Sequence, residues 1–331
     1  MEMRAFGRTG LRLSVLGFGC GAVGGLMVRG SAADQERAVA RALEVGINYF
    51  DTAPQYGDGA SEQNLGRVLA KLKPDIVVGT KVRLKAEEKA NIAAAVTAGL
   101  EASLRRLGRD SVDLFQLHNA ITAGGAGAEL TVRQVLEEVM PAFERLRRAG
   151  KTRFVGITAV GDTAALHQVI GSGAIDTAQV SYNMLNPSAG GPVPVGYPAQ
   201  DYAGLLAKTQ AAGVGTIGIR ALAGGALSGE AARHPIASPP PEPIGSASSY
   251  DADLARARRL MPLVRDGHAA SLAEAALRFP VTNPALGTML MGIATVAEFE
   301  FAVASVLKGP LPPMALAQLA ALQAGFVGEA R

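Results

Sequence analysis

The chain has 331 residues, 48% of them hydrophobic and 18% charged, which is too apolar for disorder and long enough to bury a full core. The net charge is only +3, and the basic groups Arg105-Arg106, Arg147-Arg148 and Arg256–Arg259 alternate with apolar residues at helical spacing, the pattern of solvated helix faces and not of a nucleic-acid footprint. Cys20 is the single cysteine, which excludes an intrachain disulfide and a cysteine-cluster metal site.

Ahead of the first long β run, Met3–Ala5 and Leu11–Leu13 flank Gly7-Arg8-Thr9-Gly10 and read as a hairpin. Eight strand candidates follow: Val15–Cys20, Asn48–Ala53, Ile76–Lys81, Val112–His118, Arg153–Thr158, Thr177–Asn183, Gly215–Leu222 and Gly287–Ile293. Several are continuous apolar runs, as parallel strands covered on both faces require. Amphipathic helix patterns separate them: Ala33–Glu44, Ser61–Lys71, Ala86–Leu107, Thr131–Ala149, Asp162–Ile170, Asp201–Ala212, Ser271–Arg278 and Thr295–Val306. Five of these stop at Gly46, Gly108, Gly150, Gly171 and Gly213, the punctuation of helix–loop–strand joints.

Eight β units each followed by a helix are the arithmetic of one (β/α)8 TIM barrel over residues 1–331, with the N-terminal hairpin across its bottom. Pro312–Ala324 reads as a C-terminal helix outside it. Two stretches break the rhythm: the Gly/Ala-rich 120–130 and the Pro- and Ser-rich 231–249. Both follow strands and are expected to overhang the C-terminal mouth, where long loops bind substrate. No apolar run reaches the ~18 residues of a membrane helix. The N-terminus lacks a signal-peptide plan, so a cytoplasmic protein is expected, with neither membrane nor nucleic acid as partner.

Four titratable groups fall at or just past the ends of three successive strands: Asp51, Tyr56, Lys81 and His118. Each alone has an ordinary explanation, as a helix cap, a turn aromatic, a snorkelling lysine or a core histidine. Together at one barrel mouth they fit acid–base chemistry on a carbonyl. A tyrosine gives up its proton near neutral pH only with help, and an ammonium such as Lys81 lowers its pKa from about 10. Asp51 can hold Lys81, and His118 can donate to a developing alkoxide. The side chains hold no reductant, so a hydride donor must bind beside Tyr56.

The block Gly46-Ile-Asn-Tyr-Phe-Asp-Thr-Ala-Pro-Gln-Tyr-Gly57, with Ser61-Glu62 and Leu65-Gly66, resembles the signature of the aldo-keto reductases. Lys81, Asp113–His118, Gly150–Thr158 and Leu222–Gly229 follow in the same order. The resemblance implies a nicotinamide cofactor, NAD or NADP, at the C-terminal mouth, and Asp51, Tyr56, Lys81 and His118 as the catalytic tetrad. It implies cofactor contacts from Gly19, Cys20, Asp51, Thr158, Gln179, Arg220, Leu222, Gly292, Thr295 and Glu298. Packing is an equal role for Cys20, and an ordinary salt bridge is open to Arg220.

Several departures from the family pattern stand out. Thr158-Ala159 replaces Ser-Asn, Ile219 replaces the tyrosine that stacks on nicotinamide, and Arg220 replaces Ser near the pyrophosphate. Past the last strand, Glu298 stands where Arg or Gln holds the adenosine 2′-phosphate, and Ala302 replaces Asn. A carboxylate there repels phosphate and can accept from free ribose hydroxyls, which favours NAD or dual use unless Glu298 points to solvent. The Gly17–Gly25 run and Thr158-Ala159 resemble the branch that oxidises aldoses to lactones. The expected partner is thus a small carbonyl or sugar. Two other classes remain: a Schiff-base lyase using Lys81, and a non-catalytic subunit that senses nicotinamide.

Overall fold

A computed structural model describes residues 1–329. Strands β1 (Met3–Ala5) and β2 (Arg12–Ser14) pair antiparallel as the expected hairpin. Eight further strands follow: β3 (Leu16–Gly19), β4 (Tyr49–Asp51), β5 (Val77–Val82), β6 (Val112–Leu117), β7 (Thr152–Thr158), β8 (Thr177–Ser181), β9 (Gly215–Ile219) and β10 (Thr288–Gly292). They close into one parallel barrel in sequence order, β10 pairing with β3. This is the (β/α)8 barrel, with helices packed around its outer face. Phe18 and Phe50, from adjacent strands, stack outward at 5.2 Å between ring centroids within that outer core.

A second, smaller core fills the barrel floor: Phe6, Leu13, Tyr49, Val77, Leu114 and Ile217. The hairpin supplies two of these, so it plugs the bottom. Phe6 fits because two neighbours lack side chains: a Cβ at Gly215 would meet its ring at 2.9 Å and one at Gly287 at 2.7 Å.

Most differences from the sequence reading are local competitions. The pattern over 131–149 opens with a Thr131–Gln134 capping box but widens into a π turn over Val135–Val139 before Met140–Arg148. Pro141 sits at the joint, where its missing N–H and bulky ring disrupt the α ladder. The 201–212 pattern yields only Leu205–Ala211, because Gly204 takes a left-handed conformation at its start. The fifth helix runs Thr163–Gly171, taking in Gly171, and the left-handed turn falls at Gly173. A helix over Tyr250–Arg259, capped by Ser249, emerges directly from the Pro/Ser-rich stretch. Among the described residues, no helix is long and apolar enough to cross a membrane.

Candidate active site

Residues 49 and 51 share the inward face of β4, since side chains alternate along a strand. Asp51 stands above the apolar floor, 3% exposed. One carboxylate oxygen, Oδ1, accepts from Lys81 Nζ of β5. The other, Oδ2, accepts from Tyr49 Oη at 2.8 Å and from Gln179 Nε2 of β8 at 2.7 Å. Lys81 is completely buried; it also donates to the Thr52 carbonyl at 2.9 Å and reaches the Tyr56 hydroxyl at 3.4 Å. Burial opposes its charge, but Asp51 and Tyr56 together raise its pKa and hold it as an ammonium.

Tyr56 is carried by the tight loop between β4 and the helix Ala60–Leu72. The Thr52 and Ser61 hydroxyls bond at 2.8 Å, and Ser61 donates to the Cys20 carbonyl, which fixes the loop against β3. His118 follows β6, its backbone N–H donating to the Val82 carbonyl. The His118 ring is edge-on to Tyr56 at 6.2 Å, with Nδ1 3.4 Å from Gln55 Oε1. The four residues expected to form a tetrad are brought together.

The electrostatics correct one expectation. Lys81 does lower the Tyr56 pKa, but burial outweighs it and the net shift is upward, with Asp51 adding to the rise. The phenol is therefore held protonated, the form a general acid needs. His118 is pushed down to about 3, by burial first and then by Lys81 and Arg83. It is a neutral imidazole at any ordinary pH.

These groups open on a cleft of about 940 Å³ at the C-terminal mouth, near the upper end of small-ligand pockets. Gly19, Thr158, Gln179, Arg220, Leu222, Gly292, Thr295 and Glu298 all line it. Cys20 does not. Its thiol is 1% exposed within the outer core, and burial pushes its pKa up, so of its two expected roles the side chain takes packing. Thr158 Oγ1 lies 3.5 Å from Gln179 Oε1.

Arg220 occupies left-handed backbone, φ +61°, a costly place for a non-glycine residue. Asn183 Nδ2 holds its carbonyl at 3.0 Å, and the guanidinium donates to the Glu242 carbonyl at 3.1 Å. Glu298 does not simply point to solvent. Its Oε2 accepts from Ala294 N–H at 2.8 Å while Thr295 Oγ1 accepts from Glu298 N–H at 3.1 Å, a reciprocal cap at the start of Val296–Leu307.

The two rhythm-breaking stretches behave differently. Residues 231–249 cross to the loop after β3 as a strap. Arg233 donates to the Gly224 and Ser238 carbonyls at 2.7 and 2.9 Å, Ser238 N–H donates to the Val23 carbonyl at 3.1 Å, and Arg29 bridges the Ala22 and Ile236 carbonyls. Residues 120–130 are pinned by Lys89 Nζ, which donates to the carbonyls of Gly125, Gly127 and Glu129. Only Ala120 of that stretch reaches the cleft. Tyr49, Asn183, Arg29 and Arg233 were not singled out by sequence. Tyr49 alone carried a signal, its place two residues before Asp51 on the same face.

A barrel with this buried acid–lysine–tyrosine arrangement at its mouth defines a class, and comparison with known proteins agrees. The model of the aldo/keto reductase family matches residues 15–324; the chain belongs to that family. It is 32% identical to L-galactose dehydrogenase of Arabidopsis thaliana over 314 residues, covering 92% of this chain and 88% of the relative. It is 27% identical to pyridoxal 4-dehydrogenase of Microbacterium luteolum, covering 90% and 91%. The holo form of aldo-keto reductase AKR11C1 from Bacillus halodurans superimposes with TM-score 0.70 at 26% identity, covering 97% and 96%. Its relatives are oxidoreductases.

Proposed function

We propose that this protein is a nicotinamide-dependent oxidoreductase that interconverts a carbonyl and an alcohol, with Tyr56 as the general acid and base. The observation that carries the reading is the Tyr56 hydroxyl on the cleft wall, 3.4 Å from a fully buried Lys81 ammonium that Asp51 holds in place. In the reducing direction Tyr56 gives its proton to the carbonyl oxygen, and the adjacent ammonium stabilises the phenolate left behind. In the oxidising direction the same pair takes the proton back. His118, neutral, has one ring N–H to offer the oxygen as charge develops there.

The cleft suits a dinucleotide. Gly19, Gly21, Gly224 and Gly292 leave its walls without side chains, while Gln179 and Arg220 put an amide and a guanidinium on them. Gln179 and Thr158 would hold the carboxamide, and Arg220 with Leu222 and the Gly292–Thr295 segment the phosphates and adenosine. The nicotinamide, when bound, supplies or accepts the hydride. Glu298 places a carboxylate on that wall, which favours NAD or dual use over strict NADP preference.

The relatives' names point to a free sugar or another small aldehyde as substrate. Lys81 buried as an ammonium, with acceptors on Asp51 and Thr52, is no free amine for a Schiff base, which speaks against the lyase reading. The test is Tyr56→Phe, assayed with NADH and NADPH against aldehydes, ketones and aldoses. Turnover is expected to fall by about 10³-fold or more, near the upper part of the range for acid–base groups, with cofactor binding retained. A variant keeping over a tenth of the turnover, with chemistry rate-limiting, would remove Tyr56 from the role.

A further inference from the structure

The tetrad does not account for Tyr49. It is completely buried in the apolar floor, yet its hydroxyl makes a 2.8 Å bond to Asp51 Oδ2. The ring is shaped into place by two glycines on neighbouring strands. A Cβ at Gly17 would meet it at 3.0 Å, and one at Gly79 would meet the hydroxyl itself at 2.8 Å. Burying a phenol among Phe6, Leu13, Val77, Leu114 and Ile217 is costly unless its O–H is bonded, and Asp51 Oδ2 accepts it. Burial, then the Asp51 charge, pushes its own pKa well up, so it stays a donor throughout the working range.

Resting on the oxidoreductase reading, we infer that Tyr49 is a positioning residue of the reaction: its hydroxyl pins Asp51 Oδ2 from below so that Lys81 keeps a proton directed at Tyr56. The argument turns on which donors a ligand can displace. Asp51 Oδ2 has two, Tyr49 and Gln179. Gln179 lines the cleft and is a candidate cofactor ligand, so its bond is open to competition; Tyr49 is out of reach of any ligand. Tyr49 is thus the donor that remains whether or not the cleft is filled.

Removing that donor leaves the Asp51 charge less shared. Asp51 already raises the Tyr56 pKa while Lys81 lowers it. With Tyr49 gone, Asp51 draws Lys81 more strongly and repels the phenolate more, so the Tyr56 pKa rises. The other charged or titratable groups around this core are Cys20 beside β3, His118 after β6, Arg83 after β5 and Arg220 after β9. None of them replaces a donor on Oδ2.

The test is Tyr49→Phe, which keeps the ring in its slot and deletes only the hydroxyl. The basic pKa of the kcat–pH profile is expected to rise by about half to one unit, a charge-assisted hydrogen bond being worth roughly one to two such units at full strength. The same upward shift should appear in the free protein, followed through the ¹³Cζ tyrosine resonance that Tyr56→Phe removes. Gly79→Ala displaces the hydroxyl without deleting it and should shift both readouts the same way, which also serves if Tyr49→Phe fails to fold. Profiles and resonances superimposable on wild type in a folded variant would overturn the proposal. Wild-type protein with no turnover of any carbonyl would instead end the oxidoreductase reading, and the resonance titration would still decide the role of Tyr49.

Discussion

The two halves of the cleft are built by opposite means. On the β4–β6 side, Asp51, Lys81 and Tyr49 are buried side chains that bond to one another. On the β9–β10 side the wall is largely backbone: a left-handed Arg220, the glycines at 224, 225 and 292, a helix start, and a strap tied by arginines to carbonyls. The first side couples the chemistry to the barrel's own stability. The second can change without disturbing it. On the function proposed above, reaction type is tied to the core, and cofactor preference to the rim.

The largest effect that would sharpen this contrast comes from Lys81→Met. It removes one partner of a buried ion pair and leaves Asp51, at 3% exposure, with neutral donors only. A loss of about 3–5 kcal/mol in unfolding free energy is expected, the cost of stranding a buried charge. Denaturant titration would check it. A loss under about 1 kcal/mol would mean that the pair is not coupled to the fold.

On the other side, Glu298→Gln should leave stability nearly unchanged, because glutamine can still accept from Ala294 N–H and complete the cap. What should change is the ratio of NADPH to NADH dissociation constants, moving toward NADPH by about tenfold, or roughly 1.4 kcal/mol, as a like charge is removed. Equilibrium titration with both cofactors reads it. A tenfold NADPH preference already present in wild type and untouched by the substitution would make Glu298 a cap and nothing more.

The same division explains what the sequence disclosed. Asp51, Tyr56, Lys81 and His118 are titratable residues at strand ends, and strand ends can be counted along the chain. The barrel is legible for the same reason, since eight apolar runs and their helices repeat. The strap was not legible: Arg29 and Arg233 bond to carbonyls, which no side-chain pattern encodes, and one of them lies more than 200 residues away. The π turn at Val135–Val139 follows from a single proline within an otherwise regular helical pattern. The Tyr56 pKa went the other way from expectation because burial, invisible in spacing, outweighs Lys81.

The smallest effect concerns His118, and it too follows from the buried side of the cleft. Its folded pKa is held down to about 3, by burial and then by Lys81 and Arg83, whereas an unfolded histidine titrates near 6.5. Between those values the unfolded chain binds a proton that the folded chain refuses. Stability attributable to His118 is therefore full above about pH 6.5 and declines as pH falls toward 3. His118→Gln should flatten this part of a plot of unfolding free energy against pH and leave the curve above pH 7 parallel to wild type. In catalysis, a ring already neutral cannot produce an acid limb near pH 6.5 in kcat. If the His118 ring resonances titrate between pH 6 and 7 in the folded protein, then Lys81 and burial do not set its charge, and the neutral donor assigned to it is wrong.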